Sequence, residues 1–156
     1  MGFELGTRSR QRLNLGVHPD LYRVVSRAIE ITPIDFSVIE GRRSVERQRE
    51  LVAKGASQTM NSRHITGHAV DLGAYVAGSV QWEWALYPPI ADAMRRAALE
   101  LGIPVRWGGG WFLLNDCNSL RGIELKVAAY TAARRAQKRK AFLDGPHFEL
   151  PASLYP

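Results

Sequence analysis

A chain of 156 residues with 46% hydrophobic and 23% charged residues can bury one domain's core, and this balance excludes the disordered, collagen-like and disulfide-scaffold classes. The single cysteine, Cys117, has no partner for an intramolecular disulfide and no second thiolate for a metal site, so any metal must be held by histidine and carboxylate. The formal net charge of +6 favours polyanionic surroundings such as nucleic acid, anionic wall or lipid without choosing among them.

No run of about 18 apolar residues is present for a membrane helix. The opening MGFELGTRSRQRLNLG lacks the apolar stretch of a secretory signal, so the expected site of synthesis and accumulation is the cytoplasm. Gly6 stands where myristoylation expects serine or threonine. No repeat or linker divides the chain, so residues 1–156 read as a single domain.

In chain order, the first helix is expected from Pro19, because Leu21, Val24, Val25, Ala28 and Ile29 recur at helical spacing. Residues 35–40 read as a strand, and Ser44 caps a helix running to Gly55. Residues 56–68 are polar and aperiodic, an extended loop leading into the strand AVDLGAYV. Pro88 and Pro89 fit the first turn of a helix whose Ile90, Met94, Ala97, Ala98 and Leu101 share a face, with Gly102 as its stop. A strand at PVRW, a glycine turn at WGGGW, a helical pattern from Leu120 to Lys140 and a strand in HFEL complete the chain. Helices and strands mix without regular alternation, which predicts an α+β domain with a small, largely antiparallel sheet. Trp82, Trp84, Trp107 and Trp111 are assigned to the core.

Of the four histidines, His18 beside Pro19 suits a cap. His64 and His68 form an H-x-x-x-H pair. A helical zinc motif would need glutamate at Ile65, and Gly67 lies in a stretch without helical pattern, so one of the pair is not a ligand. Asp71 sits in apolar AVDLG, where an ionised carboxylate needs compensation by an arginine or a metal. Asp144 and His147 flank a Gly-Pro turn before a strand. Two histidines and a carboxylate suit zinc with an open position, and equally non-haem iron.

The segment SRHITGHAVDL, residues 62–72, resembles the S-x-H-x-x-G-x-A-x-D signature of the M15 zinc peptidases, the group of D-alanyl-D-alanine peptidases and L-alanyl-D-glutamate endolysins. EGRRSVERQ at 40–48, WGGGW at 107–111 and DGPHFEL at 144–150 follow in the family's order, extending the resemblance over nearly the whole chain, with phage endolysins of the L-alanyl-D-glutamate type the most similar. The resemblance implies the M15 fold, one zinc ion on His64, Asp71 and His147, and Asp144 as general base and acid. It makes His68 a variable position. It implies a substrate-carboxylate role for Arg43, with Gln48 and Ser62 near the same pocket.

What it implies of function is hydrolysis of peptidoglycan stem peptides by a monomer without specific nucleic-acid binding, held in the host cytoplasm until the membrane is breached, then acting on the wall to lyse the cell. A D-alanyl-D-alanine carboxypeptidase or dipeptidase is the alternative on the same metal site, and a non-catalytic basic binding module the alternative of another class. Two departures stand out. Gly110 occupies the usual aspartate position of WGGDW, and residues 113–142 form a longer segment ending in five cations, Arg134, Arg135, Lys138, Arg139 and Lys140. These suit either a helix C-terminus or an anionic wall or membrane surface.

Overall fold

Side chains repeat every 3.6 residues along a helix and every two along a strand, and these periods decide what reaches the core. The computed structural model describes residues 2–156. Its elements are α1 (Thr7–Asn14), α2 (Pro19–Ile31), β1 (Phe36–Glu40), α3 (Val45–Ala53), β2 (Ala69–Val76), β3 (Ser79–Gln81), α4 (Tyr87–Leu101), β4 (Arg106–Trp107), β5 (Phe112–Leu113), α5 (Leu120–Ala136) and β6 (His147–Glu149), with 3₁₀ turns at Trp84–Leu86 and Leu114–Asp116.

The caps follow the sequence. His18 Nδ1 accepts from the Asp20 amide at the start of α2, Ser44 Oγ accepts from the Arg47 amide at the start of α3, and Gly102 ends α4 at φ 68°. The five apolar residues of α2 named above are all buried.

Two helices differ from expectation. The chain is already helical at Thr7, well before Pro19, and α1 escapes a periodicity search because it buries only Ser9 and Leu13. Polar contacts dock it: Ser9 Oγ accepts from the Val38 amide at 2.9 Å and Arg12 Nη1 donates to the Val38 carbonyl at 2.7 Å. The otherwise open edge of β1 is thereby covered. At the other end α5 stops at Ala136 rather than Lys140, because Lys138 takes a left-handed φ of 56° and Arg134 Nε donates back to the Lys140 carbonyl.

The strands form one antiparallel sheet in the order β1-β2-β6-β4-β5, with β3 also paired to β2. Alternation along β2 sends Val70, Leu72 and Ala74 into the core with Phe148 of β6 and Trp107 of β4, under the buried faces of α2 and α4. Asp71, His147, Glu149 and Arg106, each one position away, take the opposite face. Glu40 joins them through a bulge. The β1–β2 register shifts between Val38 and Glu40, so that Glu40 stands opposite Asp71 instead of following Val38 inward.

The segment 113–142 is not peripheral throughout, since Leu114, Cys117 and Ile123 belong to the same core. The tryptophans divide, against the assignment of all four to the core. Trp107 is fully buried, whereas Trp82 and Trp84 are 58% and 38% exposed on the turn after β3.

Candidate functional site

His64 comes from the loop before β2, and that loop is held by its own backbone. The His64 carbonyl accepts from the Arg43 and Gly67 amides, and the His18 amide donates to the Gly67 carbonyl at 2.8 Å. Gly67 lies at φ +78°, where a Cβ would come within 2.0 Å of the Gly16 carbonyl oxygen, so only glycine lets the loop lie against the α1–α2 turn. The imidazole is oriented by its Nδ1, 2.8 Å from the Gly41 carbonyl. A carbonyl only accepts, so Nδ1 carries the proton and the Nε2 lone pair is free.

Asp71 and His147 are direct cross-strand partners on β2 and β6. Asp71 Oδ1 lies 3.3 Å from His64 Nε2 and 3.4 Å from His147 Nδ1. One ligand atom from each of the three residues falls within 4.8 Å of the others. Asp71 Oδ1 is fully buried and has no hydrogen-bond partner, which a buried carboxylate oxygen does not tolerate without a cation. The other nitrogen of His147, Nε2, meets Glu149 Oε1 at 2.7 Å, leaving Nδ1 directed at Asp71. Both histidines thus carry the outer support typical of metal-binding imidazoles, one from a carbonyl and one from a carboxylate. The donor set and its orphaned oxygen fit a metal ion.

These groups also compensate one another electrostatically. Burial works against ionised Asp71, but the His147 and His64 imidazoles beside it outweigh burial and hold the carboxyl well below the usual range. Burial likewise works against charged His147, yet Asp71 and Glu149 raise it to about 9. Glu149 is lowered, burial being overcome by His147, Arg106 and Arg63.

Asp144 and His147 are fastened to the glycine turn after β4. The Asp144 amide donates to the Gly108 carbonyl and the Gly108 amide to the His147 carbonyl, both at 2.8 Å. A Cβ on Gly108 would strike the Asp144 carbonyl oxygen at 2.6 Å and His147 Cβ at 3.0 Å, so this glycine permits the close approach. Burial, and then the Asp71 charge, raise the Asp144 carboxyl above its ordinary value. It lines one cavity of about 730 Å³ together with His64, Asp71 and His147.

Arg43 and Ser62 line that cavity, and Gln48 lies behind them. Arg43 makes a bidentate pair with Glu40, both contacts at 2.7 Å, and its Nη1 reaches Gln48 Oε1 at 2.7 Å and Ser62 Oγ at 3.4 Å. Gln48 is fully buried and spends its amide on Ser57 Oγ and the Thr59 carbonyl. His68 stands apart, bonded to Thr66 Oγ1 and stacked on His18. Gly110 does not line the cavity, and its Cβ would face the Phe112 ring at 2.7 Å.

Glu149, Glu40 and Arg106 also line the cavity, although nothing in the sequence reading singled them out. Only the strand register gives the signal for the two glutamates: Glu149 is two residues past His147 on one face, and Glu40 depends on the bulge.

The chain matches the family described as phage L-alanyl-D-glutamate peptidase over residues 1–151. It is 32% identical to the L-alanyl-D-glutamate peptidase of Escherichia phage T5, with 96% of this chain and 99% of the relative covered. It superimposes on the crystal structure of the Serratia marcescens L-Ala D-Glu endopeptidase ChiX with a TM-score of 0.74 at 46% identity, covering 96% of this chain and 91% of the other. With sequence and fold matched along nearly its whole length, the chain belongs to the phage L-alanyl-D-glutamate peptidase family.

Proposed function

We propose that this protein hydrolyses the L-alanyl-D-glutamate bond of the peptidoglycan stem peptide, with one zinc ion held by His64, Asp71 and His147. The observation that carries the reading is Asp71 Oδ1, buried, unpartnered and set between two imidazole nitrogens whose opposite ring atoms are already bonded. Zinc in such a site supplies Lewis acidity and lowers the pKa of water from about 15.7 to roughly 7. Hydrolysis needs no redox change, which favours zinc over iron on the same ligands.

Asp144 handles the protons. Its raised carboxyl lies nearer neutrality than an ordinary aspartate, so it accepts a proton from the attacking water and returns it to the departing D-glutamate amine. The C–N bond breaks, leaving an alanine carboxylate and a new amine. Arg43, fixed by Glu40, Gln48 and Ser62, presents positive charge to the substrate from the β1 side. Gln48 and Ser62 set the position of that guanidinium.

The biological role that follows is endolysis: the protein accumulates in the host cytoplasm, reaches the wall once the membrane is breached, and lyses the cell as a monomer. No described helix is long and apolar enough to cross a membrane. Residues 1–156 act as one zinc peptidase domain, with the cationic tail of the 113–142 segment directed at anionic wall or lipid. The test is mass spectrometry of purified peptidoglycan digested by the zinc-loaded protein, beside metal analysis. New alanine carboxyl and D-glutamate amino ends with one zinc per chain are expected; released D-alanine, or iron in place of zinc, would overturn the reading.

A further inference from the structure

Three arginines line the cavity, Arg43, Arg63 and Arg106, and their guanidiniums are committed to very different degrees. Arg43 has Nε and Nη2 on Glu40, Nη1 on Gln48 and Ser62, and Nη2 also 3.6 Å from Asp71; its side chain is 8% exposed. Arg63 donates through Nε and Nη2 to the Leu150 and Tyr155 carbonyls. Arg106 has one ion pair, a long 3.5 Å contact from Nη1 to Glu149, and its side chain is 38% exposed. A guanidinium has five N–H donors, so most of Arg106's capacity is free while that of Arg43 is spent.

Arg106 is nevertheless held in place. Its guanidinium carbon sits 5.1 Å above the Trp111 ring, and Trp111 is fixed by a 2.8 Å bond from its Nε1 to the Phe142 carbonyl. In register, Arg106 faces Glu149 on β6, so it flanks His147 on the β4 side while Arg43 flanks Asp71 on the β1 side. The metal ligands lie between a saturated cation and an open one.

The chemistry of the substrate supplies the matching anion. D-Glutamate has two carboxyl groups, and whichever one continues the peptide, the other stays free on the residue that provides the scissile amine. Resting on the function proposed above, we infer that Arg106 receives a free carboxylate of the stem peptide and is the specificity-determining cation of the cavity. An aromatic-backed guanidinium with its fork exposed is suited to bidentate carboxylate recognition.

The experiment uses zinc-loaded protein and three soluble peptides containing L-Ala-D-Glu and one following residue: unmodified, amidated at the free D-glutamate carboxyl, or amidated at the terminal carboxyl. Arg106→Gln is expected to lower kcat/KM on the unmodified peptide by about 10-fold or more, mainly through KM. Arg106→Lys should recover part of the loss, because it restores charge without the fork. On the peptide lacking the recognised carboxylate, the parent-to-variant ratio should collapse toward one; which amidation does this identifies whether the D-glutamate or the terminal carboxylate is bound. An identical deficit on all three peptides would overturn the inference. So would loss of zinc from Arg106→Gln, which would mean that the residue only supports Glu149. A parent protein that cleaves none of these peptides at L-Ala-D-Glu would instead overturn the underlying function, and the inference with it.

Discussion

Glu149→Gln removes a charge that touches a proposed metal ligand, and its effect on zinc affinity depends on pH. Two effects oppose each other. The 2.7 Å contact from His147 Nε2 to the Glu149 carboxylate raises the basicity of the ligating nitrogen, and loss of such outer support costs about 10- to 100-fold in metal affinity. The same contact, after that to Asp71, helps raise His147 to about 9, so in metal-free parent protein at pH 7 a proton competes with zinc at about 100-fold cost, or ~2.7 kcal/mol. Glutamine weakens both. Competition titrations with a buffered zinc chelator should therefore show parent affinity rising about tenfold per pH unit between about pH 6.5 and 8.5. The variant curve should be flatter, so the two nearly meet at the acid end and separate by the full 10- to 100-fold at the alkaline end. A gap that does not change with pH, or a flat parent curve, would refute the reasoning.

His64→Ala, Asp71→Ala and His147→Ala should each abolish bound zinc by metal analysis, whereas His68→Ala retains it. Asp144→Asn should keep zinc and lose about 10²- to 10⁴-fold in kcat on a soluble peptide. Because the raised carboxyl disfavours its ionised form in the fold, the same change should raise the melting temperature of metal-free protein at neutral pH. The raised His147 contributes stability that is complete below its ordinary value and lost as pH rises through about 9, so calorimetry should show metal-free protein weakening over that interval. Replacing Arg135, Lys138 and Arg139 with Gln should weaken wall binding and flatten its salt dependence, with soluble-peptide turnover retained; Arg134 is spared because it bonds the Lys140 carbonyl.

The parts legible in the sequence were those with a strong local signature. The apolar stripe of α2, the Ser44 cap, the Gly102 stop and the whole span of β2 follow from periodicity and turn chemistry. For the candidate metal site, residue chemistry alone left Asp71 open to an arginine partner and did not separate His64 from His68; the set His64, Asp71 and His147 came from the resemblance of residues 62–72 and 144–150 to the M15 segments. What escaped was decided across strands or by polar docking. Helix α1 attaches through Ser9 and Arg12 rather than an apolar face, and the bulge near Ile39 that turns Glu40 toward Asp71 leaves no mark in composition. Trp82 and Trp84 were misassigned because aromatic type alone does not say which side of a turn is wet.

The place of β6 in the sheet has a consequence for how the molecule acquires activity. Last of the strands in sequence, β6 is inserted between β2 and β4, and the closure is tied across 87 residues by Arg63 to the Leu150 carbonyl. Contacts of such long sequence separation form late, because the loop entropy must be met before they are made. His147 reaches Asp71 only through the pairing of β6 with β2, so a chain in which β6 has not paired lacks one side of the site. Cleavage competence should therefore appear in refolding no earlier than the pairing of β6, which stopped-flow refolding followed by a peptide-cleavage readout would check.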